Sequence, residues 1–168
     1  PASNKIRANP KKYPECCHII EPSLQYLVRA RVCLALKDEN YEQSICIGIS
    51  RGDHGFSPAS KQYGSFAYRT GDGTAFKNGI LKPVKDGANL KKRCVYFLEF
   101  DRKENSFSIF NAESEPLGFD QKEKSFSIFN DAKSEPIYTF HDIPPQDEYY
   151  FFCDTFAPNQ SAEVLYYE

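Results

Sequence analysis

The sequence predicts an all-β protein whose strands form a two-sheet antiparallel β-sandwich. Apolar and polar residues alternate in several segments with a period of two, which is the strand period and not the helical one. Turn residues separate these segments at short intervals, a pattern typical of sandwiches. The 14 Phe and 11 Tyr residues agree with this, because flat rings pack well on a pleated surface. A chain of 168 residues is long enough for one domain with its own core.

The first predicted strand covers residues 26–36. Its even positions are all apolar, whereas its odd positions include Arg29 and Arg31. We therefore expect one face on a core and the other toward solvent. Residues 44–50 repeat the pattern, with isoleucines on the inner face and small residues on the other. The polar residues 37–40 between these strands are suited to a hairpin.

The middle of the chain alternates between loops and further strands. Residues 51–62 contain two glycines and one proline, which predict a long exposed loop. Strand character returns at residues 63–69, and turns are expected at residues 70–74 and 77–79, since glycine accepts positive φ at low cost. Residues 94–100 are the most apolar segment, which predicts a central strand. The last strand-like segments are residues 149–153 and 162–166.

The chain contains an internal repeat. Residues 100–111 recur as residues 119–130, and each copy continues into Ser-Glu-Pro. Two copies are too few for a solenoid, so we interpret the repeat as a local duplication of one strand-turn unit. One copy is expected to occupy the position that the fold requires. The other copy either extends a sheet edge or forms a loop, and the sequence does not choose between the copies.

Charge and hydropathy argue against two classes of partner. Lys and Arg number 21 against 23 Asp and Glu, which gives a net charge of -2. Proteins that bind nucleic acid usually carry a clear basic excess, so we expect no nucleic-acid partner. Apolar runs long enough to cross a bilayer are absent from the sequence, so we expect no membrane partner either.

The cysteines predict a reducing compartment. Three of the six lie within β-rich runs, where a reduced cysteine behaves as a small hydrophobic residue. A secreted scaffold held by disulfides is usually shorter and richer in cysteine. We therefore expect reduced thiols and a location in the cytoplasm or nucleus. The run Cys16-Cys17-His18 lacks a second ligand pair at zinc-like spacing, so we expect no metal site.

Catalysis and cofactor binding are not expected. The three histidines are His18, His54 and His141, and none lies in a recognisable nucleophile motif. Gly71-Asp72-Gly73 is not followed by the lysine motif or helix start that a phosphate cradle needs. The sequence therefore predicts a protein without catalytic residues.

From about residue 23 to the end, the order of these segments resembles that of a SPRY domain, the module shared by many tripartite-motif proteins and ubiquitin-ligase adaptors. The run from Tyr26 to Leu34 is similar to the opening strand of the family, and Ile45-Cys46-Ile47-Gly48-Ile49-Ser50 to its next strand. Residues 95–101 are similar to its later apolar strand. Residues 125–130, followed by residues 137–140, are similar to its following hairpin.

The resemblance implies two antiparallel sheets packed face to face, with partner-binding loops at one end. It also implies a boundary, with residues 1–22 as an N-terminal extension and residues 23–168 as the SPRY-like domain. The chain departs from the family in two respects, since it has no tryptophan and its strand-turn unit is doubled.

Three groups of residues are candidates for partner binding. The loop of residues 51–62 combines charge with an aromatic anchor, a composition that interface hot spots favour. The resemblance adds residues of the strand at 63–69, although strand tyrosines more often belong to a core. The doubled segment adds loop charges. The candidates are Arg51, Asp53, His54, Phe56, Tyr63, Tyr68, Arg69, Glu113, Glu115 and Lys133.

We therefore predict a non-catalytic, monomeric protein-protein interaction module that recognises a partner peptide or loop. By resemblance it would be the substrate-recognition part of a ubiquitin ligase or scaffold protein, which is an association because fold does not determine function. The alternative is a lectin-like sandwich that binds carbohydrate, although Trp, the usual sugar-stacking residue, is missing. A third possibility is a self-associating domain with the duplicated hairpin as an adhesive edge.

Overall fold

The computed structural model describes residues 5–7, 16–38, 45–52, 58–70, 73–83, 93–112, 119–120, 125–126, 136–145, 147–156 and 160–168. Within these residues the strands are β1 (Lys5–Arg7), β2 (Cys16–Ile20), β3 (Arg29–Asp38), β4 (Cys46–Ser50), β5 (Ser65–Arg69), β6 (Thr74–Lys77), β7 (Ile80–Pro83), β8 (Arg93–Asp101), β9 (Ser106–Ala112), β10 (Phe119–Asp120), β11 (Ser125–Phe126), β12 (Tyr138–Phe140), β13 (Tyr150–Thr155) and β14 (Gln160–Tyr167). A 3₁₀ turn covers Ala59–Lys61.

The strands form two antiparallel sheets, which confirms the predicted fold class. Among the described residues, the first sheet has the order β1-β14-β3-β8-β9-β12 and the second the order β2-β13-β4-β5-β6-β7. Strands β10 and β11 pair only with each other. The described part of the chain has no helix of the length and apolarity needed to cross a membrane.

The core lies between the inner faces of the two sheets, and the period-two pattern identified it correctly. Ala30, Val32, Leu34 and Leu36 of β3 are buried there, as are the isoleucines of β4. Strand β8 is central, with β3 on one side and β9 on the other, as its apolar sequence predicted. The two sheets meet through aromatic contacts such as the edge-on packing of Phe66 against Phe140, whose ring centroids are 5.6 Å apart.

The first strand begins later than predicted, because the chain turns before residue 29. Tyr26 is 88% exposed and Val28 53% exposed, so neither lies on the inner face. The guanidinium of Arg102 holds this turn. It donates from Nη2 to the carbonyl of Leu24 (2.7 Å) and from Nε to that of Leu27 (3.2 Å). An isolated alternation pattern cannot reveal such a contact from a distant turn.

The predicted hairpin at residues 37–40 is wrong, because β3 and β4 lie in opposite sheets. Both edges of β3 are already paired, with Lys37 opposite Ser161 on β14 and Arg93 on β8. No edge of β3 is therefore left for β4. Residues 39–44 lie outside the described residues.

The loop at residues 51–62 is also less exposed than predicted. Pro58, Ala59 and Ser60 are buried, and Ala59 packs against Ala67 and Phe152 on the outer face of the second sheet. This end of the loop therefore covers the sheet, while residues 53–57 lie outside the described part of the chain.

The first copy of the repeat occupies the sandwich. Strands β8 and β9 form its hairpin, and β12 pairs with β9, so that Tyr138 lies opposite Ile109 and Phe140 opposite Phe107. The resemblance predicts residues 125–130 in the strand that pairs with β12. This prediction is wrong, because Ser106–Ala112 form that strand. The second copy forms the separate β10–β11 hairpin with an equivalent register, since Phe119 pairs with Phe126 as Phe100 pairs with Phe107.

The turn of the first copy explains why this copy is used. Asp101 Oδ1 accepts hydrogen bonds from the backbone N–H groups of Lys103 (2.9 Å) and Glu104 (3.1 Å). Asn105 has a φ of 47°, a conformation that asparagine tolerates better than most residues. Arg102 supplies the bonds to neighbouring segments. The second copy keeps the aspartate but has Gln121 and Lys124 where the first has Arg102 and Asn105.

The segment predicted as an N-terminal extension contributes strands to both sheets. Strand β1 pairs with β14 at one edge of the first sheet, and β2 pairs with β13 at one edge of the second. Residues 8–15 between them lie outside the described residues.

The outer face of the first sheet is only partly polar. Cys33 and Ala35, expected on a solvent-facing side, are buried with Val95 and Phe97 in a second apolar cluster. Aromatic residues on neighbouring strands cover these small side chains, since Phe97 pairs with Cys33 and with Phe110.

The charged end of that face holds a cross-strand ion cluster. Arg29 and Arg31 both donate to Glu99, and Arg31 Nε lies 2.9 Å from Glu99 Oε2. Burial raises the pKa of Glu99, but the hydrogen bonds and charges of Arg29 and Arg31 outweigh it, so the pKa is lowered. The carboxylate therefore stays ionised beside its partners.

Two deletions of equal length test why the first copy is used. Removing residues 112–130 leaves the first copy, and removing residues 102–120 leaves the second. The products differ only in having Arg102 and Asn105 or Gln121 and Lys124. We expect the first chain to be more stable by roughly 2–4 kcal/mol, because hydrogen bonds from a charged donor are lost in the second. Urea unfolding measures the difference. Equal free energies of unfolding would contradict this explanation, and Arg102→Gln in the first chain isolates the arginine.

The ion cluster predicts a pH-dependent contribution to stability. A carboxyl whose folded-state pKa is lowered stabilises the fold above its ordinary pKa of 4.5 and loses this effect as the pH falls through the folded-state value. The difference in free energy of unfolding between the wild type and Glu99→Gln should therefore be largest near neutral pH and shrink on acidification. Urea unfolding of both proteins from about pH 7 to pH 3 checks this. A difference independent of pH would refute it.

Candidate functional site

One end of the sandwich collects the turns that carry the exposed aromatic and charged side chains. We call it the loop end and define it as residues 21–28, 51–52, 62–64, 78–79, 102–105, 141–145 and 147–149. Backbone hydrogen bonds join these turns. Leu24 N donates to the carbonyl of Tyr149 (2.8 Å), and Ile143 N to that of Asn105 (2.9 Å). The turns therefore form one connected surface.

Arg51 and Tyr63, two of the predicted site residues, come together at the loop end. The guanidinium carbon of Arg51 lies 6.0 Å from the centroid of the Tyr63 ring. Arg51 Nε is also 3.6 Å from Asp147 Oδ2, with Arg51 44% and Asp147 20% exposed. An exposed ion pair of this kind contributes little to stability, so its charges remain available to a partner.

Asp147 is fixed by a second contact. The hydroxyl of Tyr149 donates to Asp147 Oδ2 at 3.3 Å. Burial raises the pKa of Tyr149, and the neighbouring Asp147 charge raises it further, so the phenol remains a donor at neutral pH. Tyr149 itself is 1% exposed and belongs to the core. The core thereby orients the carboxylate that faces Arg51.

Gly64 makes room for the arginine. A Cβ at this position would lie 2.2 Å from Cδ of Arg51, and the φ of Gly64 is +80°. Its N–H donates to Asn78 Oδ1 at 2.8 Å, which attaches the β6–β7 turn to the loop end. Arg51 therefore rests on a backbone whose conformation suits glycine.

The large hydrophobic residues that are exposed in the described part of the chain lie in or directly beside the loop end. They are Tyr26 (88%), Val28 (53%), Tyr63 (74%), Ile80 (68%) and Leu81 (58%). A concentration of apolar side chains in one region is typical of interaction surfaces, whereas scattered ones need no explanation. The alternation pattern predicted Tyr26 and Val28 on the inner face, and Ile80 and Leu81 were not among the predicted site residues. The Asn78-Gly79 turn was the available signal, since it placed Ile80 at a turn.

The strand candidates lie elsewhere. Tyr68 is fully buried in the core and packs against Tyr96, with centroids 6.3 Å apart, so its side chain is a packing element. Arg69 lies at the other end of β5 from Tyr63, with its guanidinium 5.3 Å from the centroid of Phe76. The other candidates, Asp53, His54, Phe56, Glu113, Glu115 and Lys133, lie outside the described residues.

The loop end offers no metal site among the residues that the structure describes. The described residues contain no group of three or more His, Cys, Asp or Glu side chains placed to hold a metal ion. The cysteines whose side chains are described, Cys17, Cys33, Cys46 and Cys153, are thiols that take part in no disulfide. Burial raises the pKa of Cys33 to about 12 and lowers that of His18.

Solved structures with the same architecture are SPRY domains. The SPRY domain of human HERC1 has a TM-score of 0.65 at 13% identity, and the match covers 95% of this chain and 91% of that one. A human SPRY domain has a TM-score of 0.61 at 8% identity, with 96% and 94% covered. The TRIM65 PSpry domain has a TM-score of 0.57 at 10% identity, with 91% and 69% covered. No protein-family model and no curated protein matches the sequence. The chain therefore has a SPRY-like fold.

Gly64→Ala tests how the glycine supports the site. We expect a loss of roughly 1–2 kcal/mol in the free energy of unfolding, because an L-residue is strained at this positive φ. We also expect a shift of the Arg51 side-chain Nε–Hε resonance, because the new methyl group occupies the arginine's position. Asp147→Asn is the matched control, since it removes the ion pair without backbone strain and should cost less than about 1 kcal/mol. Unchanged stability and an unchanged Arg51 resonance in the alanine variant would contradict the assignment.

Proposed function

We propose that this SPRY-like chain is a non-catalytic interaction module that binds a partner protein through the loop end. The observation that carries the proposal is the set of exposed apolar and aromatic side chains at or beside one end of the sandwich, with Tyr63 next to the Arg51–Asp147 pair. Protein-interaction modules are common among domains with the SPRY fold, which supports a protein partner in general. Loops held by a rigid scaffold are also frequent binding elements.

The chemistry of the loop end suits recognition of a protein segment. Tyrosine and arginine are enriched among the residues that contribute most to interfaces, and Tyr63 and Arg51 lie side by side. Arg51 can donate hydrogen bonds to carbonyl or carboxylate groups of the partner, while Tyr26 and Tyr63 offer apolar faces. The exposed charges nearby have both signs, as Lys103 and Glu104 show, so binding should depend only modestly on salt.

We extend this proposal to the partner element, the cellular role and the oligomeric state. The partner element is a peptide or loop, and the chain acts as the recognition part of a ubiquitin ligase or scaffold protein in the cytoplasm or nucleus, as a monomer. Asp53, His54 and Phe56 lie within four residues of Gly52 in sequence, which supports including them in the same surface. Glu113, Glu115 and Lys133 are kept as candidate loop charges of the doubled segment. Arg69 is kept as a candidate at the other end of β5.

Affinity capture from cell lysate tests which end binds. The wild type is compared with Arg51→Ala/Tyr63→Ala, and Arg69→Ala serves as the matched control at the opposite end of β5. We expect a partner held by the wild type and by Arg69→Ala to be reduced at least about 30-fold with the double variant, since hot-spot truncation costs about 2 kcal/mol or more. Thermal unfolding must show that all three proteins are folded.

The opposite capture result would place the binding site elsewhere on the domain. Partners lost with Arg69→Ala but kept by the double variant would assign binding to the other end of β5. If the double variant loses the partner, Tyr26→Ala then tests how far the surface extends. Retention by Tyr26→Ala would limit the surface to the neighbourhood of Arg51.

A further inference from the structure

A buried carboxylate lies beneath the segment that leads to Tyr63. Asp154 is on β13 and is 0% exposed. Its Oδ1 accepts a hydrogen bond from Ala59 N (3.0 Å), and its Oδ2 accepts hydrogen bonds from Ser60 N (2.8 Å) and Ser60 Oγ (2.6 Å). These contacts join residues more than ninety positions apart in sequence. The carboxylate therefore ties the 3₁₀ turn to the outer face of the second sheet.

The surroundings of Asp154 are otherwise weakly polar. Its neighbours on the adjacent strands are Cys17 on β2 and Cys46 on β4. Burial raises the pKa of Asp154, and the hydrogen bonds from Ser60, Ala59 and the Cys17 thiol act in the opposite direction. A buried carboxyl is costly unless it is hydrogen-bonded, and here the turn supplies three donors, two of which are backbone N–H groups. The apolar packing beneath the turn centres on Ala59, which lies in a cluster with Ala67 and Phe152.

The anchored turn leads directly to the proposed binding surface. Gln62 N donates to the carbonyl of Ala59 (3.0 Å), which closes the turn one residue before Tyr63. Ser65 Oγ donates to the carbonyl of Gln62 at 2.7 Å on the other side of Tyr63. Tyr63 is thus an exposed ring on a short backbone segment that is held at both ends. On the N-terminal side of Tyr63, the backbone is held by the 3₁₀ turn, which is itself hydrogen-bonded to the Asp154 carboxylate.

We propose that Asp154 is a positioning residue for the loop end, whose carboxylate holds the 3₁₀ turn so that Tyr63 is presented beside Arg51. The importance of this position for binding rests on the proposed function, but the positioning itself does not. Asp154 does not touch the partner. It acts through the backbone N–H groups of Ala59 and Ser60.

Asp154→Asn is the informative substitution, because it keeps the side-chain size and one acceptor oxygen but places an NH₂ group against a backbone donor. The first readout is hydrogen exchange of the Ala59 and Ser60 amides, with the amides of Val32 and Leu98 in the paired strands β3 and β8 as internal controls. The second readout is the linewidth of fluorotyrosine at position 63, assigned with Tyr63→Phe. We expect amide exchange of Ala59 and Ser60 to accelerate at least about tenfold and exchange of the strand amides to accelerate much less. We also expect the Tyr63 resonance to become narrower, because the ring is held less firmly.

Three results would overturn the proposal. Unchanged protection of Ala59 and Ser60 would show that the carboxylate does not hold the turn. Equal acceleration at all sites would make Asp154 a general stability residue. Faster exchange at Ala59 and Ser60 without a narrower Tyr63 resonance would show that the turn does not position Tyr63.

If Asp154→Asn does not fold, Ser60→Ala provides a second test of the same proposal. This variant removes only the hydroxyl hydrogen bond and leaves both amide bonds to Asp154, so a smaller acceleration, about threefold, is expected at the same two amides. No acceleration would count against the proposal. Failure of the proposed function would look different, since partner capture would then survive Arg51→Ala/Tyr63→Ala while the exchange results stayed the same.

Discussion

The guanidinium of Arg102 is the contact on which the loop end depends. It donates to backbone carbonyls of Leu24, Leu27 and Pro145, the last at 2.9 Å, and so joins three segments that are far apart in sequence. A planar guanidinium with five N–H donors suits this task, because it can donate to several carbonyls at once. These hydrogen bonds have two consequences. The chain turns before β3 and leaves Tyr26 exposed, and the first repeat copy is retained in the sandwich.

Asp154 fixes a turn against the second sheet in a complementary way. Arg102 satisfies backbone acceptors, whereas Asp154 satisfies backbone donors, and each does so for a segment without regular strand pairing. Irregular backbone that lies against a sheet needs such partners, since unpaired buried polar groups are costly. The loop end is therefore a set of turns fixed by two charged side chains of opposite sign. A surface prepared in this way loses less conformational entropy when a partner binds.

Much of the architecture was predictable because a strand's two faces alternate with a strict period. That rule located the inward positions of β3 and β4, while the apolar run at residues 94–100 indicated the central β8 and the glycine indicated the turn at Asn78-Gly79. The site was less predictable. Arg51 and Tyr63 were identified from composition and resemblance, but Tyr26 was assigned to the wrong environment. Asp147 was missed altogether, because an acidic residue in a loop has no sequence feature that distinguishes an oriented partner of Arg51 from a solvated charge.

The repeat shows most clearly what each level of information decides. The identical Ser-Phe-Ser-Ile-Phe-Asn runs at residues 106–111 and 125–130 determined by themselves that a strand-turn unit is doubled and that either run suits the same strand position. Alternation likewise determined that the chain forms β-sheets with one apolar face. Only the tertiary structure decided which copy enters the sheet, which strands lie in which sheet and which side chains meet at the loop end. The physical reason is that periodicity is a local property, whereas hydrogen bonds such as those of Arg102 and Asp154 join residues that are distant along the chain.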